Sequence, residues 1–162
     1  MIDGEHNAIY YQISHSGNRA GYMWLKQIVE KMYPEVTVYP LSVYNGTHLD
    51  TTIAILNHDT VALNPERIPD PSVLPDPLKK RRHVFPDIID TTHKEGLSSK
   101  WIGMNTLSVS PNDIIVNTDQ INYIAQLESL GFTVFPHKLT FSDILEGGHH
   151  CTTSDLRRDE EY

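Results

Sequence analysis

The order of predicted elements between Asn105 and Pro136 most constrains the fold of this chain. Asn105 to Ser110 and Asp113 to Asn117 are two strand-like runs joined by a Pro-Asn turn, which predicts a hairpin. Gln120 to Leu130 then carries apolar residues at helical spacing, and Phe132 to Pro136 favours a strand. The segment therefore predicts a β-β-α-β unit and an α/β fold.

The start of the chain repeats most of this order. Ile9 to Ile13 predicts a strand, Arg19 to Tyr33 an amphipathic helix, and Val36 to Leu41 a second strand. Met1 to Ala8 is polar and patternless, so we expect a loose start and no first strand for this unit. The strands after the two helices end in V-Y-P and V-F-P. We interpret this as an internal repeat, although any α/β chain gives some alternation.

The middle of the chain predicts another hairpin followed by a loop. Thr51 to Asn57 and Thr60 to Asn64 are apolar runs separated by a His-Asp turn. Pro65 to Pro86 contains six of the ten prolines, which remove backbone donors, so we expect mostly loop with one short helix. His83 to Ile89 predicts a returning strand.

Composition limits the class of protein. A chain of 162 residues is expected to form a single domain over its whole length. The formal charge of -8 argues against nucleic-acid binding, and no apolar run predicts a membrane helix. No secretory leader opens the chain, and one cysteine cannot form an internal disulfide, so we expect a cytoplasmic protein. One cysteine and scattered histidines lack zinc-site spacing, so neither metal nor cofactor is expected.

Two motifs in the first half of the chain carry chemically useful side chains. G-T-H-L-D contains His48 and Asp50, which would face the same side of an extended chain. The histidine could transfer protons near neutral pH, or both residues could simply belong to a loop and a strand cap. N-P-E-R contains Arg67, which could pair with a substrate carboxylate or lie exposed in a turn.

Two further motifs lie in the second half. L-S-S-K-W offers the Ser98 and Ser99 hydroxyls, which could bind an anionic group or cap local structure. G-G-H-H-C places Cys151 after two glycines and two histidines. A thiol there could be a nucleophile, a metal ligand or a buried apolar residue. His150 is not automatically its base, because neighbours on a strand face opposite ways.

Taken in order, four motifs resemble the arginine:glycine amidinotransferase family: G-T-H-L-D, N-P-E-R-I, S-S-K-W-I-G-M-N and G-G-H-H-C-T-T-S-D-L-R-R. This family includes the glycine and inosamine-phosphate amidinotransferases, within the guanidino-modifying pentein superfamily. The resemblance runs from about Ile9 to Arg158. It implies an α/β propeller of β-β-α-β modules, of which this chain resembles the C-terminal part. The propeller would therefore be open, because the N-terminal modules are missing.

The resemblance also implies a reaction and roles for particular residues. An amidino group would move from arginine to an amine acceptor through an amidino-cysteine intermediate, without a cofactor. Cys151 is similar to the family's nucleophile and His48 to its general acid and base. Asp50 resembles the carboxylate that holds the guanidinium. Arg67, Ser98 and Ser99 match positions that contact the substrate.

The chain departs from the family pattern in two places. The upstream segment with an essential aspartate is not visible, although Asp3 or Glu5 could substitute. Glu146 also stands at the first position of the family's glycine triplet. Three hypotheses follow: an enzyme completed by a separately encoded N-terminal half or by self-association, a non-catalytic self-associating binding module, or a guanidine hydrolase of the same superfamily.

Overall fold

The computed structural model describes residues 1–88 and 97–154, and divides the chain into two compact units, Met1–Phe85 and Pro86–Tyr162. Within the described residues there are three separate three-stranded sheets, two in the first unit and one in the second. Each sheet pairs its first two strands antiparallel and its last two parallel. The chain is therefore an α/β protein of three β-β-α-β modules. That all of it acts as a single domain stays a prediction.

The first module contains strands β1 (Ile2–Asp3), β2 (Ala8–Gln12) and β3 (Thr37–Leu41), with helix α1 (Arg19–Met32) in the crossover. The predicted helix and its two flanking strands are confirmed. The expectation of a loose start without a first strand is wrong, because β1 pairs antiparallel with β2. The two-residue strand is too short to show an alternating pattern.

Helix α1 begins at an asparagine cap and lies with one side over the sheet. The Asn18 side chain accepts a hydrogen bond from the Gly21 backbone N–H at 2.8 Å. Tyr22 is half-buried and donates its hydroxyl to the Val38 carbonyl at 3.3 Å. None of the helix is fully buried, and Trp24 is 64% exposed. The helix thus leaves apolar surface uncovered within its unit.

The second module contains β4 (Ile53–Asn57), β5 (Thr60–Leu63) and β6 (Arg82–Val84), with the short helix α2 (Asp76–Lys79) in the proline-rich crossover. The predicted hairpin is confirmed by the antiparallel pairing of β4 and β5. Strand β6 is shorter than predicted, and Ile89 lies outside the described residues. The sequence pattern did not show that these elements form a module, because the proline-rich crossover contains only four residues of α-helix.

The two modules of the first unit share one apolar core and one buried ion pair. The core residues come from both sheets and the crossover: Ala8, Tyr10, Leu41, Ile53, Val61, Leu63, Ile68, Leu74 and Leu78. Arg81 Nη1 and Nη2 donate to the two Asp3 carboxylate oxygens at 2.8 and 2.9 Å. Burial raises the pKa of Asp3, but the Arg81 hydrogen bonds and charge outweigh it and hold that pKa below its usual value. This pair fixes β1 to the residue just before β6.

The second unit contains β7 (Leu107–Ser108), β8 (Asp113–Val116) and β9 (Thr133–Pro136), followed by helix α4 (Ser142–Leu145). Helix α3 (Ile121–Ser129) forms the crossover, which confirms the predicted hairpin, helix and strand. The Asp87 carboxylate caps α3 by accepting from the Asn122 backbone N–H at 2.7 Å. Buried apolar side chains support this unit: Trp101, Ile102, Met104, Ile114, Val116, Tyr123, Leu127 and Phe132. Among the described residues, no helix has the length and apolar character needed to cross a membrane.

Candidate active site

Cys151 lies exposed on a turn that follows helix α4. The backbone N–H of Thr152 donates to the Gly148 carbonyl at 3.2 Å, and that of Thr153 to the His150 carbonyl at 3.1 Å. These bonds close turns, so His150 and Cys151 do not have the alternating geometry of neighbours on a strand. The buried-cysteine alternative is also wrong, since the thiol is on the surface. Residues 155–158 of this motif lie outside the described residues.

Asn105 holds the cysteine turn through its side chain. Its Oδ1 accepts from the backbone N–H groups of Gly148 at 3.1 Å and Cys151 at 2.9 Å. Its Nδ2 donates to Cys151 Sγ at 3.1 Å. Asn105 is only 2% exposed, so these hydrogen bonds are protected from competition with bulk water. One buried amide therefore fixes both the backbone and the sulfur of the turn.

Gly148 allows the turn to approach Asn105 closely. A Cβ at this position would lie 2.6 Å from both the Asn105 Cβ and the Asn105 carbonyl oxygen. These are distances that non-bonded atoms do not reach without movement of the backbone. A glycine is therefore required here by the space available.

Glu146 has a backbone conformation that favours glycine. Its φ is 66° and its ψ is 148°, a region that side chains with a Cβ rarely occupy. This is the position at which the amidinotransferase resemblance implies glycine. The glutamate therefore stores backbone strain just before the cysteine turn.

Replacing Glu146 with glycine should increase the free energy of unfolding by about 1 kcal/mol, because relief of the strain exceeds the entropy cost of a glycine. Urea denaturation of both proteins measures the difference. Glu128→Gly is the matched control, since the same change inside helix α3 should destabilise by about 1 kcal/mol. A loss of stability in Glu146→Gly would contradict the strain assignment.

A histidine pair lies under the cysteine turn. His149 is buried, and its Nε2 is 3.2 Å from His137 Nδ1. One ring must donate and the other accept, so the bond requires a neutral partner. Burial, followed by the charge of His137, lowers the pKa of His149 below its ordinary value of 6.5. The turn therefore rests on a histidine that is neutral at physiological pH.

Acidification should destabilise the protein through His149. Because the folded-state pKa is lowered, stability from this group is present above pH 6.5 and is lost as pH falls below that value. The slope from one such group is at most about 1.4 kcal/mol per pH unit. Urea unfolding between pH 7 and pH 5 should show a flatter dependence in His149→Gln than in wild type. His15→Gln, at an exposed position, is the control. Identical profiles for all three proteins would contradict this role.

Both predicted serines have local hydrogen-bond partners. The buried Ser98 hydroxyl donates to the Ser142 carbonyl. Ser99 Oγ accepts from the Trp101 backbone N–H at 3.2 Å, at the start of a turn that leads to Asn105. Both side chains thus stabilise the segment before Asn105. Substrate contact by Ser98 and Ser99 stays a prediction.

In the first unit, His48 and Asp50 lie at the start of a short 3-10 helix, Leu49–Thr51. His48 is exposed at the N-cap, and Asp50 is half-buried within the helix. The expectation that both lie on an extended chain and face one side is wrong, because the backbone turns after His48. Their roles as acid/base and guanidinium ligand stay predictions.

Arg67 is fixed to this same 3-10 helix. Its Nη1 donates to the Thr51 carbonyl at 3.0 Å, to Thr51 Oγ1 at 2.9 Å and to Thr52 Oγ1 at 2.8 Å. Its guanidinium lies 3.7 Å from the centre of the Tyr44 ring. Burial lowers the pKa of Arg67 relative to a free arginine, without removing the charge at neutral pH. Arg67 also lines a pocket of the first unit with Ser42, Val43, Ile68, Pro69, Asp70 and Val73.

Asn64 organises this part of the first unit. Its Nδ2 donates to the Thr51 carbonyl at 3.1 Å, and its Oδ1 accepts from the backbone N–H groups of Glu66 and Arg67. The side chain is fully buried. Asn64 therefore joins the 3-10 helix that contains Asp50 to the backbone of Arg67.

Sequence reasoning missed the roles of Asn64 and Asn105. Both stand inside quoted motifs, as the first residue of N-P-E-R and the last of S-S-K-W-I-G-M-N. Each amide bonds to a backbone group far along the chain, 13 residues away for Asn64 and 46 for Asn105. An asparagine that directly follows an apolar residue inside a motif was the available signal.

One donor cluster in the first unit has metal-ligand chemistry. Glu5, His6 and His58 each bring a donor atom within 4.8 Å of the others. Arg81 Nη2, which can only donate, lies 2.8 Å from His6 Nδ1. That contact favours the Nε2–H tautomer of His6, which offers no lone pair to a metal at that nitrogen. The cluster therefore fits a hydrogen-bonded surface better than a metal site.

Of the two alternative upstream carboxylates, Asp3 does not have the setting of a substrate ligand. The Asp3 and Arg81 side chains are both 2% exposed and paired with each other. Asp3 also accepts from the Tyr10 hydroxyl at 3.0 Å. Glu5 Oε2 lies 3.6 Å from His58 Nδ1. Asp3 is thus a buried structural residue, and it does not fit the role of a substitute catalytic carboxylate.

Curated relatives match almost the whole chain. It is 39% identical over 154 residues to inosamine-phosphate amidinotransferase 1 of Streptomyces griseus, covering 93% of this chain and 43% of the relative. It is 29% identical to the mitochondrial glycine amidinotransferase of Gallus gallus, covering 93% of this chain and 36% of the relative. No family model matches the chain. The chain thus spans less than half the length of these relatives.

Solved structures agree with these matches. An inosamine-phosphate amidinotransferase from Streptomyces griseus superposes with a TM-score of 0.82 and 38% identity, over 94% of this chain and 44% of that one. An amidinotransferase of the saxitoxin biosynthetic pathway from Microseira wollei gives 0.81 and 28%, over 94% and 45%. A Pseudomonas aeruginosa DDAH, at 0.64 and 18% over 89% and 49%, shows the same fold only. The three modules therefore correspond to part of a pentein propeller.

Proposed function

This chain belongs to the inosamine-phosphate and glycine amidinotransferase family, and from that membership we propose that it supplies the nucleophile and the acid/base of an arginine-dependent amidino transfer. The single observation that carries the proposal is the Cys151 turn. An exposed thiol there is held at its backbone and its sulfur by one buried amide. A cysteine that only filled space would not need this arrangement.

Cys151 performs the first half of the reaction. Its thiolate attacks the central carbon of the arginine guanidinium and forms a C–S bond. The bond from that carbon to the arginine Nε then breaks, and His48 donates a proton to the departing nitrogen, which leaves as the ornithine amine. The guanidinium is resonance-stabilised, so both a strong nucleophile and proton delivery are required.

The second half regenerates the thiolate. The acceptor amine attacks the amidino carbon, gives its proton to His48, and forms a new C–N bond as the C–S bond breaks. His48 is exposed at the N-cap of its 3-10 helix, so its ring has access to solvent and substrate. The two half-reactions exchange one proton and one amidino group, and neither needs a cofactor.

The remaining predicted residues hold the substrate. Asp50 contacts the guanidinium, where a carboxylate can make two-point hydrogen bonds. Arg67 pairs with the substrate carboxylate at the pocket that it lines. Its Nη1 donates hydrogen bonds to Thr51 and Thr52. Its Nε and Nη2 donate to none of the described residues. Ser98 and Ser99 are the further residues that contact the substrate in this proposal.

Completion of the propeller is part of the proposal, because the chain covers 43% of its Streptomyces griseus relative. The other modules would come from a separate N-terminal half or from another copy of the chain, in a reducing, cytoplasmic setting where Cys151 stays a thiol. Exposed apolar residues on α1 support such packing, since Met23, Trp24 and Met32 are each more than half exposed.

Product analysis tests the reaction. The chain should be incubated with arginine and glycine or another amine, with and without the N-terminal half of a homologous amidinotransferase. Ornithine together with an amidinated acceptor is the expected result. Citrulline with ammonia would indicate a deiminase instead, and ornithine with urea would indicate hydrolysis of the adduct. No product under any condition would contradict the proposed function.

The second candidate is a non-catalytic, self-associating module of the same fold. The same exposed side of α1 favours it, because uncovered apolar surface promotes assembly. Light scattering distinguishes the candidates when combined with product analysis. Assembly without product favours the module, whereas a product requires the enzyme.

A further inference from the structure

We propose that Asn105 activates Cys151, by donating a hydrogen bond that stabilises the thiolate and by fixing the turn that presents it. A role in catalysis rests on the proposed function. The effect of Asn105 on the ionisation of the Cys151 thiol does not. The contacts that carry it lie within the second unit: Nδ2 to Sγ at 3.1 Å, and Oδ1 to two backbone N–H groups.

The orientation of the Asn105 amide follows from its partners. Oδ1 receives backbone N–H groups from both Gly148 and Cys151, and each of these groups can only donate. An exchanged amide would place its NH₂ group against two donors, which is unfavourable. The NH₂ group must therefore face the sulfur, so the sulfur is the acceptor.

The position of Asn105 is itself fixed from both sides. Its backbone N–H donates to the Ile102 carbonyl at 2.9 Å, at the end of a buried 3-10 turn. Its carbonyl accepts from the His149 backbone N–H at 2.9 Å. The residue is 2% exposed. The donor is thus held in place before the thiolate forms, which reduces the reorganisation that the charge requires.

A neutral donor suits a cationic substrate. Hydrogen bonds to the charged form of a group favour that form, so an amide N–H favours thiolate over thiol. A lysine or arginine would do the same, but its charge would repel the guanidinium of arginine. Asn105 activates the sulfur without adding a second positive charge near the proposed substrate.

Asn105→Asp removes the donor and adds a negative charge beside Sγ, and both changes disfavour a thiolate. The carboxylate keeps an acceptor for the Gly148 and Cys151 N–H groups but cannot donate to Sγ, and its charge opposes a thiolate. The pH dependence of Cys151 alkylation by iodoacetamide should be followed by mass spectrometry on the whole chain. We expect a higher midpoint pH and about a tenfold slower rate at pH 7, since one unit of midpoint shift is about tenfold. Asn112→Asp, on an exposed turn, is the matched charge control and should behave as wild type.

A measurement without substitution keeps the test independent of folding. The wild-type midpoint should lie below that of the same chain in urea, where the turn is absent. Equal midpoints, or an Asn105→Asp profile that coincides with the folded wild type, would overturn the proposal. Alkylation needs no arginine, so failure of amidino transfer bears on the proposed function and leaves these profiles unchanged.

Discussion

Replacing Arg81 with methionine should destabilise the first unit by about 3–5 kcal/mol, the range for removing one partner of a buried ion pair. The Asp3 carboxylate would lose both charge-assisted bonds while staying buried beneath Tyr10. Arg81 Nε also donates to the His58 carbonyl at 2.8 Å, so a third, partly buried hydrogen bond would be lost. Urea unfolding at pH 7 measures the effect.

Two controls separate the ion pair from general damage. Arg82→Met changes the exposed neighbour and should cost less than about 0.5 kcal/mol. The double variant Asp3→Leu with Arg81→Met removes both charges and should recover a large part of the loss. Because the pKa of Asp3 is lowered, the pair's contribution is present above its ordinary value of 3.8 and is lost as pH falls below it. Equal effects of Arg81→Met and Arg82→Met would contradict the role assigned to the pair.

Replacing Cys151 with serine should lower amidino transfer by about 10⁴-fold or more, the scale seen when a catalytic nucleophile is removed. A serine hydroxyl is far less acidic than a thiol and is not activated by an amide donor alone. Stability should change by less than about 0.5 kcal/mol, because the side chain is exposed. Product formation and urea unfolding, measured on the same preparations, separate the two effects.

Reversible chemical blocking is the control for this variant. Conversion of Cys151 to a methyl disulfide should abolish transfer, and a reducing agent should restore it in the same sample. The chain has one cysteine, so the reagent acts at a single site. Retention of activity in either the serine variant or the blocked protein would exclude Cys151 as the nucleophile.

The sequence predicted most of the elements and part of the modular order. The alternation between Asn105 and Pro136 predicted one module correctly, because its hairpin and helix are both regular. The elements of the middle module were also predicted, including one short helix, but they were not recognised as a module because the crossover helix is limited to Asp76–Lys79. Strand β1 was missed because two residues are too few to show an alternating pattern, and the partner of Asp3 in the ion pair lies 78 residues away in the sequence.

The site was predicted by residue type but not by geometry. His48, Asp50 and Cys151 stand out as chemically able side chains, and the motif order adds a family context. The backbone of His48 and Asp50 was predicted as extended, whereas the structure places His48 at the N-cap of a 3-10 helix and Asp50 within it. The buried asparagines could not be assigned roles, because their bonds to distant backbone groups exist only in the folded chain.

The most direct test of the central claim is the chemical state of Cys151 after exposure to arginine. The chain, with and without the N-terminal half of a homologue, should be incubated with arginine labelled at the guanidinium carbon, quenched in acid and digested. We predict that the peptide containing Cys151 carries one labelled amidino group, and that the serine variant carries none. An unmodified Cys151 thiol under all of these conditions would contradict its assignment as the nucleophile of amidino transfer.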